Sequence, residues 1–243
     1  MNSDKISEEG YDETAGVNNP VLKQGMIPIY YDGTNWKKAD ANNAGEQWYK
    51  YTTIDKQYAN MCTVADANKT YRTAAVGTVI PIEDMTTMFV WIPRYAYKIT
   101  SGYHEAAAGT GNIEIKFLKG NTDDYEGGEA IRDNVTNETN FVVHPAFTNN
   151  INMGGMGIEI KGFWVAKFEA SNSTAPIDNV GLSTDDERYG GGDVTNLQVT
   201  VRPNVTSWRS IEINNIYKVC KAMSASREYT WINIRYRHND DEK

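Results

Sequence analysis

Cysteine is nearly absent from this chain of 243 residues, with Cys62 and Cys220 far apart in sequence. No C-x-x-C pair or Cys/His cluster occurs, so the sequence offers no zinc site of the usual spacing. Histidine is equally sparse: His104, His144 and His238 are widely separated. His144 precedes Pro145 in a strand-like segment and reads as structural rather than as a base. No G-x-S-x-G nucleophile motif is present. Basic charge is in deficit, with 24 Lys+Arg against 32 Asp+Glu and a net charge of −8. That balance argues against non-specific nucleic-acid binding, which needs a basic field to displace counterions, and against anionic membrane surfaces. No apolar run approaches the length that spans a bilayer. The opening MNSDKISEEGYDETAG is acidic and lacks the basic and apolar blocks of a signal peptide, so no export signal is read.

What is abundant is aromatic. There are 15 Tyr and 6 Trp against 6 Phe. Tyr and Trp carry an apolar face with a polar handle and are common at binding surfaces, and they also favour strands for packing. The pattern along the chain is β. Ile27, Ile29 and Tyr31 alternate with Pro28, Tyr30 and Asp32, and Asp32-Gly33 predicts a hairpin because both residues tolerate positive φ. Trp36 then falls on the return strand. Met88-Phe89-Val90-Trp91-Ile92 predicts a buried strand ended or bulged at Pro93, and Ile113-Glu114-Ile115-Lys116-Phe117 an alternating one. Phe141-Val142-Val143-His144 predicts a short strand closed by Pro145. A strand pair is predicted over Ile158-Glu159-Ile160-Lys161 and Gly162-Phe163-Trp164-Val165-Ala166-Lys167-Phe168-Glu169, the second bulged or fully buried.

Residues 119–140 and 171–197 are polar and read as long surface loops. Tyr189-Gly190-Gly191-Gly192-Asp193 follows a loop rather than a strand and lacks a Lys-Ser/Thr, so it is not read as a phosphate cradle. One helix is predicted, capped by Ser207 or Ser210, with Ile213, Ile216, Tyr217, Cys220 and Met223 at spacings of three and four. The class is therefore α+β, mainly β. Residues 1–22 read as a flexible tail, 23–83 as a small antiparallel hairpin module, and 84–243 as the main domain.

Four blocks in the main domain carry a resemblance. They are Met88-Phe89-Val90-Trp91-Ile92-Pro93, His144-Pro145-Ala146-Phe147, Gly162-Phe163-Trp164-Val165-Ala166-Lys167-Phe168-Glu169, and Pro203-Asn204-Val205-Thr206-Ser207-Trp208 before the Cys220 helix. In this order they resemble the formylglycine-generating (sulfatase-modifying) family over about residues 84–231. The resemblance implies a C-type-lectin-like core, a scaffold used for both catalysis and ligand display. The family's following block, L-P-T-E-A-E-W-E-Y-A, is absent, which suggests C-terminal truncation. The C-terminal cysteine pair of the copper-dependent catalytic members is absent too, so an enzyme is not expected. Trp91, Trp164, Glu169 and Cys220 are taken as structural, with Glu169 a buried, hydrogen-bonded acid.

The resemblance also extends to variable receptor-binding proteins of phages and bacteria, which display aromatic-rich positions late in this fold. The candidate ligand-contacting residues are Trp208, Arg209, Tyr229, Trp231, Asn233, Arg235 and Tyr236, of the types that dominate binding hot spots. The expected function is a non-catalytic adhesin or receptor-binding protein of a bacterial surface or phage tail, recognising protein or carbohydrate. The alternative is a structural virion or pilus-type subunit. The expected location is extracellular, with homo-oligomerisation open. No cofactor is expected. Asp185-Asp186-Glu187 and Asp240-Asp241-Glu242 supply oxygen ligands suited to Ca²⁺, but their spacing is not diagnostic. Cys62 and Cys220 are read either as buried thiols or as a disulfide in an oxidising compartment.

Overall fold

The Asp32-Gly33 signal becomes a hairpin in the computed structural model, which describes residues 10–42, 48–51, 57–102, 111–132, 138–172, 199–205 and 207. β3 (Ile27–Tyr31) and β4 (Trp36–Lys38) run antiparallel with Tyr31 opposite Trp36. The turn chemistry differs from the expectation in one respect. Gly33 takes a left-handed φ of 98°, but Asp32 does not. Its Oδ1 instead accepts the Thr34 and Asn35 amides at 2.9 and 2.7 Å, the self-capping Asx arrangement.

The chain is mainly β, with several antiparallel sheets and short 3-10 segments. The remaining strands are β1 (Tyr11–Asp12), β2 (Val17–Asn18), β5 (Asn60–Val64), β6 (Met85–Pro93), β7 (Tyr95–Ser101) and β8 (Asn112–Phe117). They are followed by β9 (Asp124–Tyr125), β10 (Gly128–Glu129), β11 (Val142–Val143), β12 (Gly162–Ala166), β13 (Ser171–Asn172) and β14 (Val199–Thr200). The larger sheets have strand orders β12-β6-β5-β3-β4 and β11-β7-β8. The apolar run from Met88 is strand as predicted, and it ends at Pro93.

Two compact units divide the chain. The first comprises residues 1–61, 71–79 and 90–165. Its buried residues include Val17, Leu22, Ile27, Ile29, Trp48, Tyr49, Trp91 and Phe147, and Ala96, Leu118, Ala130 and Val143 form one cluster. The second comprises residues 62–70, 80–89 and 166–243. There Val201 exchanges backbone bonds with the Thr86–Met88 stretch: its amide donates to Thr86 O and its carbonyl accepts from Met88 N. The Thr63 hydroxyl bonds those of Thr86 and Thr87, so the polar groups of this buried stretch satisfy one another. The boundary expected near residue 83 falls inside the continuous 80–89 segment of this second unit.

Two expectations are corrected. Residues 10–22, read as a tail, are ordered. Asp12 Oδ1 accepts the Thr14 and Ala15 amides at 2.9 Å, β1 pairs with β2, and Val17, Asn18 and Leu22 have no exposed surface. The polar composition here is turn chemistry and a buried amide, not solvated coil. Residues 158–161, read as a strand, are not one. Their backbone serves other elements: Ile160 N donates to Phe147 O, and Lys161 O accepts from Arg94 N and Asn18 Nδ2. The predicted 213–223 helix lies outside the described residues.

Candidate binding surface

On β7 and β8 the register places Tyr95 opposite Phe117, Tyr97 opposite Ile115 and Ile99 opposite Ile113. Because side chains alternate along a strand, these residues share one face of the sheet. At one end the face is covered by aromatic rings. Tyr51 packs edge-on against Phe117 (5.4 Å) and Tyr58 (5.0 Å), and the His144 ring lies 5.0 Å from Tyr95 and 5.8 Å from Tyr97. At the other end it is open: Ile113 is 62% exposed and Ile115 49%. The result is an apolar surface that runs from packed aromatic rings out into solvent.

The opposite face of the same hairpin carries Ala96, Lys98, Glu114 and Lys116; it is covered at Ala96, while Glu114 and Lys116 are exposed. Ala96 is fully buried, while the ammonium groups of Lys98 and Lys116 sit over the Phe141 ring at 5.0 and 5.8 Å. Long lysine stems can lie on apolar surface while their charges reach solvent or a ring face. The Ile/Glu/Ile/Lys alternation thus predicts the strand correctly, but its isoleucines are exposed along with its charged residues.

The base of this surface is held by Tyr51 and His144. The Tyr51 hydroxyl donates to Trp91 O at 2.9 Å and accepts from Ala59 N at 3.1 Å. Burial drives its pKa far above the ordinary phenol value, so it remains a donor. His144 Nδ1 accepts the Ala146 amide at 3.3 Å, capping the Pro145–Phe147 turn, and burial lowers the imidazole pKa. Its neutral form is the one that can accept this bond.

Behind β7 lies an ionic cluster that the sequence does not announce. Arg94, without exposed surface, bonds Asp123 Oδ1 at 2.8 Å and Glu159 Oε2 at 2.9 Å. Its guanidinium also donates to Thr122 O (3.0 Å) and Phe147 O (2.6 Å). Arg132 closes the ring from outside, reaching Asp123 Oδ2 at 2.6 Å and Glu159 Oε1 at 2.8 Å. Burial alone would raise Asp123 and Glu159, but the hydrogen bonds from the arginines outweigh it for Asp123, and those from Arg132 and the Asn149 amide for Glu159, so both lie below the ordinary carboxylate values.

Of the residues expected to be structural, Trp91 and Trp164 meet edge-on at 5.3 Å. Their indole N–H groups donate to Asn18 O (3.1 Å) and Val21 O (2.9 Å), fastening the N-terminal segment. Gly162 is required beside them, because a Cβ there would run into the Trp91 ring. Glu169, expected to be buried, is exposed, since β12 ends at Ala166 and leaves it beyond the strand. Cys62 is a buried free thiol whose pKa burial pushes up to about 12. Trp208, Arg209, Cys220, Tyr229, Trp231, Asn233, Arg235 and Tyr236 lie outside the described residues, as do both acidic runs considered for calcium. Among the described residues, no group of three or more His, Cys, Asp or Glu is placed to hold a metal, and no helix is long and apolar enough to cross a membrane. No protein-family model, curated protein or solved structure matches the chain.

Proposed function

We propose that the chain is a non-catalytic ligand-binding protein, an adhesin or receptor-binding component of a bacterial surface or phage tail. It recognises protein or carbohydrate at the cell surface, and its core is C-type-lectin-like. The observation that carries the reading is the apolar face of β7 and β8, where Ile113 and Ile115 stand exposed on an aromatic base. A sheet face of this kind is rigid, so a partner that buries it loses little protein conformational entropy. The four ordered motif blocks support the fold assignment. Trp208, Arg209, Tyr229, Trp231, Asn233, Arg235 and Tyr236 belong to the same proposal as candidate contacts, being of the types that dominate binding hot spots.

The test is an array of glycans and cell-surface proteins probed with the folded full chain. Saturable binding to one class is the expected result, and silence from folded protein would overturn the reading. The second reading, a structural virion or pilus-type subunit, is favoured by the exposure of β8, an outer sheet strand among the described residues. A polymer under native conditions would select it.

A further inference from the structure

We infer that β8 is a self-association edge: two copies pair their β8 strands antiparallel about a two-fold axis at Ile115. Among the described residues β8 is an outer strand of the β11-β7-β8 sheet, and its residues from Asn112 to Lys116 are exposed. The opposite outer strand is covered, since Ile131 bridges Val142 in parallel and its amide donates to Phe141 O.

Two hydrogen bonds reveal which backbone groups of β8 face outward. Leu118 N donates to Arg94 O at 3.0 Å, and bonded pairs alternate along an antiparallel ladder. In the observed register the next bonded pairs are therefore Ala96 with Lys116 and Lys98 with Glu114. The Tyr95 carbonyl agrees, because it is turned the other way and accepts from His144 N on the β11 side. Ile113, Ile115 and Phe117 thus direct their N–H and C=O groups to the open edge. The bulge between Ile99 and Ser101 lies beyond this stretch and leaves it in regular register.

Outward residues must meet outward residues when two such edges pair. Centred on Ile115, that residue meets its own copy and Ile113 meets Phe117. The same register sets Glu114 of each copy opposite Lys116 of the other. A slip to either neighbouring allowed register sets Glu114 against Glu114 or Lys116 against Lys116, and like charges directly opposite are destabilising. One register alone satisfies the backbone, the apolar side chains and the charges together. The contact is isologous and closes on itself. Native edges are commonly blunted by proline, a bulge or charged side chains; Ile113 to Phe117 contain no proline or bulge, and the charges they carry, Glu114 and Lys116, face opposite charges in this register. This inference does not rest on the receptor reading, although pairing would join two Ile113/Ile115 faces on one side of the extended sheet.

Sedimentation equilibrium of the full chain tests it. Wild type is expected to dimerise reversibly. Glu114→Lys and Lys116→Glu should each weaken the dimer about tenfold or more, because attraction becomes repulsion at two symmetric pairs. The double swap should restore it. Ile115→Lys, at a position exposed in the single chain, should abolish it while leaving the melting temperature of the monomer near wild type. A wild type that stays monomeric or polymerises would overturn the inference. So would single variants that dimerise normally, a folded double swap that remains monomeric, or a dimer that survives Ile115→Lys.

Discussion

Arg94 holds Asp123 at 2.8 Å while exposing no surface of its own, and it does so from the junction between β6 and β7. A buried guanidinium needs all its donors met, and here two carboxylates and backbone carbonyls converge on it. The loop around Thr122, the turn ending at Phe147 and the segment around Glu159 are thereby tied to one side chain.

The inner and outer arginines should differ sharply. Arg94→Met strands the carbonyls of Thr122 and Phe147 and should cost about 3 kcal/mol or more. Arg132, 45% exposed, should cost about 1 kcal/mol or less when replaced by Ala. Urea denaturation of the two variants checks the contrast, and equal losses would contradict the assignment of Arg94 as the anchor.

Asn18 should matter as much as a core residue. Its Nδ2 donates to Gly120 O and Lys161 O at 2.9 Å, and its Oδ1 accepts Gly120 N at 2.7 Å. Asn18→Leu removes these bonds from the Gly120 N–H and C=O, while Lys161 O keeps the Arg94 amide, for an expected loss of about 1–2 kcal/mol. Limited proteolysis should then cut residues 10–22 faster than in wild type. An unchanged cleavage rate would mean that this segment is not held as described.

Removing one hydroxyl beneath the proposed surface gives a smaller, defined effect. Tyr51→Phe deletes the bonds to Trp91 O and Ala59 N while keeping the ring packing. The expected destabilisation is about 1–2 kcal/mol by thermal unfolding. A neutral result would place the hydroxyl in contact with water.

His144 should make stability fall in mild acid. Its folded pKa lies below the ordinary 6.5 because the ring is buried, so protonation favours the unfolded chain. Stability from this residue is complete above about pH 6.5 and declines as the pH drops through that value toward the folded pKa. Asp123 and Glu159, lowered from 3.8 and 4.5, act at lower pH: their contribution is present above those values and lost as pH falls through their folded pKa values. His144→Asn retains an acceptor for the Ala146 amide and should flatten the melting curve between about pH 6.5 and pH 5. A slope that persists in the variant would assign the effect elsewhere.

The strands were legible wherever periodicity and turn residues agreed, as at Ile27–Tyr31 with Asp32-Gly33 and at the run from Met88 to Pro93. Residues 158–161 misled because Glu159 is committed to Arg94 and Arg132, and a strand pattern carries no sign of that demand. Asn18 read as coil because a buried amide satisfied by distant backbone looks in sequence like any polar residue. The exposed Ile113/Ile115 face was invisible for a related reason. Alternation predicts which residues share a face but not how exposed the face is: β8 exposes both its isoleucines and its charged residues, and Lys98 and Lys116 meet Phe141 from far along the chain.

Ile99 lies on the β7 side of the apolar face, away from the β8 edge, so it probes ligand binding without disturbing strand pairing. The decisive measurement compares wild type with Ile99→Asp on the glycan and cell-surface protein array, both checked for equal melting temperature. Wild type should bind one ligand class saturably, and the variant should lose at least about tenfold in affinity through burying a charge against the partner. A silent wild type, or a variant that binds equally well, would contradict a receptor-binding role for this face.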